Sequence, residues 1–279
     1  MYLSAERIAI ANQTVQETFE QTSVAWQAIP HWNTGDPAQT KVRSDSAYAP
    51  PGDLGPLGED PVDILPFTRY FYLTVAQATS PTPDALLAAV IARTVGLAAE
   101  VDGEVINELV KNSQPAPGDI ATNEGPANLL NALIDARAAL ENVGYRAPSC
   151  LLTDTDGLKA ISQLDLGYPI LEPLLDAANV NSRYRVEQLG KPGEDKGVGK
   201  PEEPGGTGRM LLLGRRQRIA HGAAAATTPG EEPVDLAISV PPSLEVIGET
   251  KAGYIELAVR IRLAPRITDK NGVVGVVIS

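Results

Sequence analysis

The stretch 84–111, DALLAAVIARTVGLAAEVDGEVINELVK, keeps apolar residues at helical spacing from end to end: Leu86, Leu87, Val90, Ile91, Val95, Leu97, Ala98, Val101, Val105, Ile106 and Leu109. Asp84 follows Pro81 and Pro83 and is positioned to cap it. At 1.5 Å per residue the pattern predicts a helix about 40 Å long, well beyond the usual three turns. A rod of that length crosses a whole small domain, so the rest of the chain has to be laid along it.

Other segments fall into order around this spine. Residues 4–26 predict a weakly amphipathic helix with Ile8, Val15 and Phe19 on one stripe, a helix that needs a surface to lie on. Residues 29–66 are dense in Pro and Gly and have no period, which is uncommon inside a compact domain. Trp32, Tyr48, Leu54, Leu57, Ile64 and Leu65 make this stretch too apolar for a solvated linker, and it reads as an arm shaped by contact with a neighbour. FTRYFYLTV at 67–75 predicts a strand returning from the arm. Helices are expected at 127–143, with Gly144 as the stop, at 155–164 behind an Asp154 cap, and at 170–178; a short buried strand is expected at 149–153. Beyond Ala178 the period turns to alternation, with strands at 182–189, 209–213, 234–240, 243–248, 253–263 and 272–278. Between the first two, KPGEDKGVGKPEEPGGTG has no apolar face and predicts a mobile solvent loop. Helices first and strands last predict an α+β fold.

Composition narrows the function. Lys plus Arg number 23 against 35 Asp plus Glu, a net charge of -12 in 279 residues, which disfavours wrapping nucleic acid around the surface. The one cysteine, Cys150, sits in the predicted buried strand, reads as a small hydrophobe, and implies a reduced compartment. With His31 and His221 it falls short of a zinc site built from thiols and imidazoles. Glu6, Arg7 and polar residues in the first turns do not read as a signal peptide, and no window approaches the roughly 18 apolar residues of a membrane span.

Candidate chemistry is thin. Gly199 and Lys200 are followed by Pro201 where a phosphate loop needs Ser or Thr, and LTDTDG lacks the closing Glu of a calcium loop. Neither histidine has an acid or serine at a suggestive spacing, and no Gly-x-Ser-x-Gly elbow exists. The arginine clusters, Arg215, Arg216 and Arg218 and then Arg260, Arg262 and Arg266, read as salt-bridge partners for the surplus carboxylates. An α+β enzyme or small-ligand binder using His31, His221 or these arginines is the rival expectation. An amphipathic N-terminal helix, an apolar arm and an oversized helix exceed what one core covers, so the sequence predicts self-association through these three.

At this point the order of elements resembles the HK97-like fold of tailed-phage major capsid proteins and encapsulin nanocompartment shells. The stretches that carry the resemblance are ILPFTRYFYLTV, VIARTVGLAAEVDGEVINEL, and the helix, strand, helix segment that ends in Gly167, Tyr168 and Pro169 followed by Glu172 and Leu174. PPSLEVIGETKAGYIELAVRIRLAPRITDKNGVV is similar to the closing strand pair. The resemblance implies an N-terminal helix and arm over 1–39, an extended loop over 40–80, and a spine helix and peripheral domain over 81–145. It further implies an axial domain over 146–233 with a mobile loop at 190–208, and closing strands of the peripheral domain over 234–279. It implies a structural, non-enzymatic subunit of an icosahedral shell with no cofactor and no membrane contact. The partners would be many copies of itself and either a cargo enzyme or packaged DNA, and the setting cytoplasmic or a virion capsid; a phage ring component is a lesser alternative. By position, Ile8, Val15 and Phe19 would form an inner-surface cargo groove. Ala178, Asn179, Asn181 and Ser182 would lie at a pore tip, and Trp32, Tyr48, Leu54 and Leu57 in the arm between subunits.

Overall fold

The computed structural model describes residues 3–45, 59–115, 126–165, 167–190, 208–222, 227–250 and 252–278. Two helices, α1 (Ala5–Thr22) and α2 (Val24–Ala28), stand where one helix over 4–26 is expected. The break comes from a buried polar partner. Ser23 takes extended backbone and caps α2, its Oγ accepting from the Trp26 amide while its hydroxyl donates to Asp102. Strand β1 (His31–Asn33) follows, then a ribbon of β2 (Lys41–Asp45) and β3 (Glu59–Asp63), then β4 (Leu65–Thr74). The expected loop over 40–80 is therefore divided: only the ribbon stands off, while β4 belongs to the body.

A short α3 (Val75–Thr79) with a reciprocal Thr74–Gln77 capping box leads to α4 (Asp84–Asn112). The long helix is there at 29 residues, although Asp84 is its first residue and accepts from the Thr82 hydroxyl rather than capping it. After β5 (Gln114–Pro115) come α5 (Pro126–Asn142), β6 (Ala147–Thr153), α6 (Thr155–Ile161), the small pair β7 (Leu164–Asp165) and β8 (Tyr168–Pro169), and α7 (Leu171–Ala177). Gly144, at φ +96°, ends α5 as the sequence predicts, and Asp154 caps α6 by accepting from the Gly157 amide at 2.6 Å. The chain closes with β9 (Val180–Arg185), β10 (Gly208–Arg215), β11 (Val234–Glu249), β12 (Tyr254–Ile267) and β13 (Val273–Ile278). β11 is one strand with register shifts where two are expected, because bulges at Ile238–Val240 and Val240–Ser243 carry the pairing with β12 through the prolines. The expected mobile loop at 190–208 lies almost entirely outside the described residues.

Two sheets result. One runs β1-β11-β12-β4, antiparallel except for the parallel β1–β11 pair; the other runs β5-β13-β10-β6-β9. β13 thus joins the second sheet, and α5 packs on that sheet too, apart from the sheet of β11 and β12. The second sheet is covered on both faces, in keeping with its alternation. Cys150, Leu152, Leu211 and Leu213 face the core shared with α1, α2, α4 and the first sheet, while Leu151, Met210 and Leu212 face α5, α6 and α7. The spine helix lies between the two sheets.

Candidate functional site

The residues expected to reach outward sort by burial. Ala11, Val15 and Phe19, at i, i+4 and i+8 of α1, are fully buried against the spine and β11. Asn12 fixes the seat by accepting from the Leu244 amide at 2.9 Å, and the Arg7 guanidinium donates to the carbonyls of Ala78 and Ser80. Val15 and Phe19 therefore offer no surface to a guest in this chain; of the three candidate groove residues only Ile8 is partly exposed. The expectation that α1 and the spine must lend their apolar stripes to sister copies is corrected in the same way, since each covers the other. Ile91 and Val95 remain exposed on the spine.

The α7–β9 corner holds the candidate tip residues in two environments. Ala178 and Ser182 are buried, Ala178 under the second core and Ser182 as an acceptor from Arg215 at 3.1 Å, which removes both from any pore surface of this chain. Asn179 takes a left-handed φ of 49°, and Asn181 donates to the Ile219 carbonyl at 2.7 Å; both are half-buried. Among the arm residues, Trp32 is corrected to a body residue: it lies on β1 and its indole donates to Asp235 at 3.0 Å. Tyr48, Leu54 and Leu57 lie outside the described residues.

Two joints are held by buried charge that the spacing of the sequence does not reveal. At the first, Asp102 on the spine accepts from the Ser23 hydroxyl at 2.6 Å and from the amides of Val24 and Ala25 at 2.9 and 3.0 Å, holding the start of α2. Burial lifts its carboxyl above the ordinary carboxylate range despite these bonds. At the other end of α2, the buried Arg215 donates to the Ala28 carbonyl at 2.9 Å and to the Ile219 carbonyl at 3.2 Å. At the second joint, Arg266 makes a two-pronged pair with Asp235 at 2.7 and 2.5 Å, lies over the Trp32 ring at 4.8 Å, and donates to the Arg43 carbonyl of β2 at 2.7 Å. Arg260 meets Glu245 at 2.6 Å. The arginine clusters thus pair with carboxylates only in part, Arg215, Arg216 and Arg262 holding backbone carbonyls.

The two histidines of the enzyme expectation stack on different aromatic rings. His31 stacks on Trp26 with centroids 4.0 Å apart, and burial lowers its pKa; His221 stacks on Tyr184 at 4.9 Å. Cys150 is fully buried, and its thiol is pushed up by burial, away from nucleophilic character. A cleft of about 720 Å³ between the ribbon, the end of the spine and β12 is lined by Asp63, Glu104, Glu108, Asp269 and Lys270 among others. Among the described residues no group of three or more His, Cys, Asp and Glu is arranged to hold a metal ion. No described helix is long and apolar enough to cross a membrane.

No protein-family model matches the sequence, and no curated protein matches it. Solved structures match in shape along its length. A protein of the virus-like particle from Pyrococcus furiosus superposes with a TM-score of 0.68 at 12% identity, over 98% of each chain. The chain has the HK97-like fold. A phage-related protein from Bordetella bronchiseptica RB50 shares it at a TM-score of 0.61 and 11% identity over 97% of this chain and 96% of the other. So does the chain from the holo-SrpI encapsulin complex of Synechococcus elongatus PCC 7942, at 0.52 and 12% over 90% and 84%. Within the HK97-like fold the oversized α4 has its explanation: it is the rod between two sheets whose strands come from distant parts of the sequence, β4 from before it and β10 to β13 from long after.

Proposed function

We propose that this chain is a structural subunit that assembles with many copies of itself into a closed icosahedral shell and carries no catalysis of its own. The observation that carries this is the end-to-end superposition on the Pyrococcus furiosus virus-like particle protein, in which 98% of both chains takes part. The β2–β3 ribbon supports it, because a two-stranded ribbon alone is marginal in water and gains most when a neighbour covers it. In this reading the first sheet, α1 and the spine form the peripheral body, the second sheet with α5 to α7 forms the axial domain, and Asn179 and Asn181 lie nearest its tip. Many modest interfaces, satisfied together only in the closed particle, supply the stability.

Electron microscopy of the protein expressed alone is expected to show hollow isometric particles; a field of monomers, dimers or flat rings would overturn the proposal. The contents are either a cargo enzyme, in a cytoplasmic compartment, or DNA, in a virion-type capsid. The neighbours in shape include both a phage-related protein and a chain of an encapsulin complex, so the fold leaves the two readings open. The A260/A280 ratio of purified particles before and after nuclease separates the two.

A further inference from the structure

The outer face of β12 holds the base of the ribbon through backbone carbonyls and a small apolar seat. Arg262 donates to the carbonyls of Pro37 and Gln39 at 3.0 and 3.4 Å, and Arg266, four residues on and on the same face, donates to the carbonyl of Arg43 at 2.7 Å. Between them Ala264, paired with Ala237, is fully buried and makes a flat floor for Val42 of β2 and Ile64. The Ile64 amide closes the loop by donating to the Thr40 carbonyl at 2.8 Å. Arg266 cannot swing away, since its other nitrogens are committed to Asp235, which is 0% exposed and is also held by Trp32 and the Gly230 amide.

From this geometry we infer that Arg262, Ala264 and Arg266 are positioning residues that set the direction of the β2–β3 ribbon in the single protomer, before any neighbour arrives. The inference rests on the shell reading for its consequence, though not for its geometry. A ribbon fixed in advance spares each docking step the ordering of a loose segment, so association is faster and admits fewer curvatures. The three acceptors are backbone carbonyls, those of Pro37 and Gln39 in the lead-in and of Arg43 in β2, so these bonds do not depend on the side chains at those three positions.

Arg262 is the residue to test, because Arg266 leaves a buried Asp235 unpaired when removed and the variant would not fold cleanly. Hydrogen exchange on the full chain, taken from the protomer fraction of a size-exclusion column, is compared for wild type, Arg262→Ala and Arg262→Lys. Arg262→Ala is expected to raise exchange of the β2 and β3 amides about tenfold while leaving α4 and β11 unchanged, with Arg262→Lys in between. Particle images of the same variants are expected to show a wider spread of diameters for Arg262→Ala. Unchanged ribbon exchange in Arg262→Ala overturns the inference, as does faster exchange with an unaltered particle population. Wild-type protein that forms no particles refutes the shell reading alone, since the exchange comparison still tests the seat.

Discussion

The α1 helix and the β2–β3 ribbon are both expected from the sequence to leave the body, and they meet opposite fates. α1 lies in the core with Phe19 at 0% exposure, whereas the ribbon keeps only its base on the sheet, through Val42, Ile64 and the carbonyls held by β12. An apolar stripe states that a surface must be covered and is silent on whose chain covers it. In α1 the stripe at four-residue spacing meets the spine of its own chain. The ribbon alternates charges with Val42, Ser44 and Val62, as in KVRSD and EDPVD, and that narrow face is all it has with which to settle on its own body. The case for self-assembly therefore shifts from an excess of sticky surface, two parts of which the chain covers itself, to the fold and the ribbon.

Replacing core residues of α1 should break this comparison most visibly if it is wrong. Phe19→Ala removes a buried ring set edge-on to Trp26 at 5.5 Å and is expected to lower the unfolding free energy by about 3–5 kcal/mol in denaturant titration. A loss near zero would mean that α1 is an arm after all. Asp102→Ala comes next: it strands the Ser23 hydroxyl and two amides at the α1–α2 break and is expected to remove about 2 kcal/mol.

Much of this architecture is legible in the sequence, and the reasons for the remainder are specific. The spine, the Gly144 stop, the Asp154 cap and the buried Cys150 strand rest on local periodicity and capping, which act within a few residues. The break at Ser23 is set by Asp102, and the placement of Trp32 by Asp235, partners 79 and 203 residues away that no local pattern signals. Asp102, one of three acids in LAAEVDGEVI, and Arg266, one of three arginines on one face of β12, are the only traces of these joints, and each reads equally well as a solvated charge. Of the candidate site, Val15, Phe19, Ala178 and Ser182 were assigned by position in a resembling fold, which fixes the element and not the direction of the side chain.

His31, stacked on Trp26 of α2, and Asp102, which holds the start of α2, respond to pH in opposite directions. His31 is held below its ordinary 6.5 by burial. As pH falls below that value the unfolded chain takes up a proton that the folded chain resists, so this residue removes stability down to its folded-state pKa and nothing further below it. Asp102 is held above its ordinary 3.8, so the folded chain takes up its proton first, and stability gains from this residue as pH falls through the folded-state value toward 3.8. Thermal melts at stepped pH are expected to lose their decline below pH 6.5 in His31→Phe and their more acid-side gain in Asp102→Asn. An unaltered curve in both variants would show that neither residue titrates with folding.

The smallest effect is expected where the ribbon is most exposed. Lys41 and Asp63 close its base across strands at 3.3 Å with side chains 60% and 67% accessible, so solvent screens the pair and ordering two long side chains offsets most of the attraction. Asp63→Asn is expected to change the unfolding free energy by no more than about 0.5 kcal/mol, and added salt to erase even that. The size of this number bears on the comparison, because an exposed pair of this kind can matter to global stability only if the ribbon unfolds together with the core. A loss as large as that of Asp102→Ala would place the ribbon in the same cooperative unit as α1, and the distinction between a covered helix and a projecting ribbon would no longer hold.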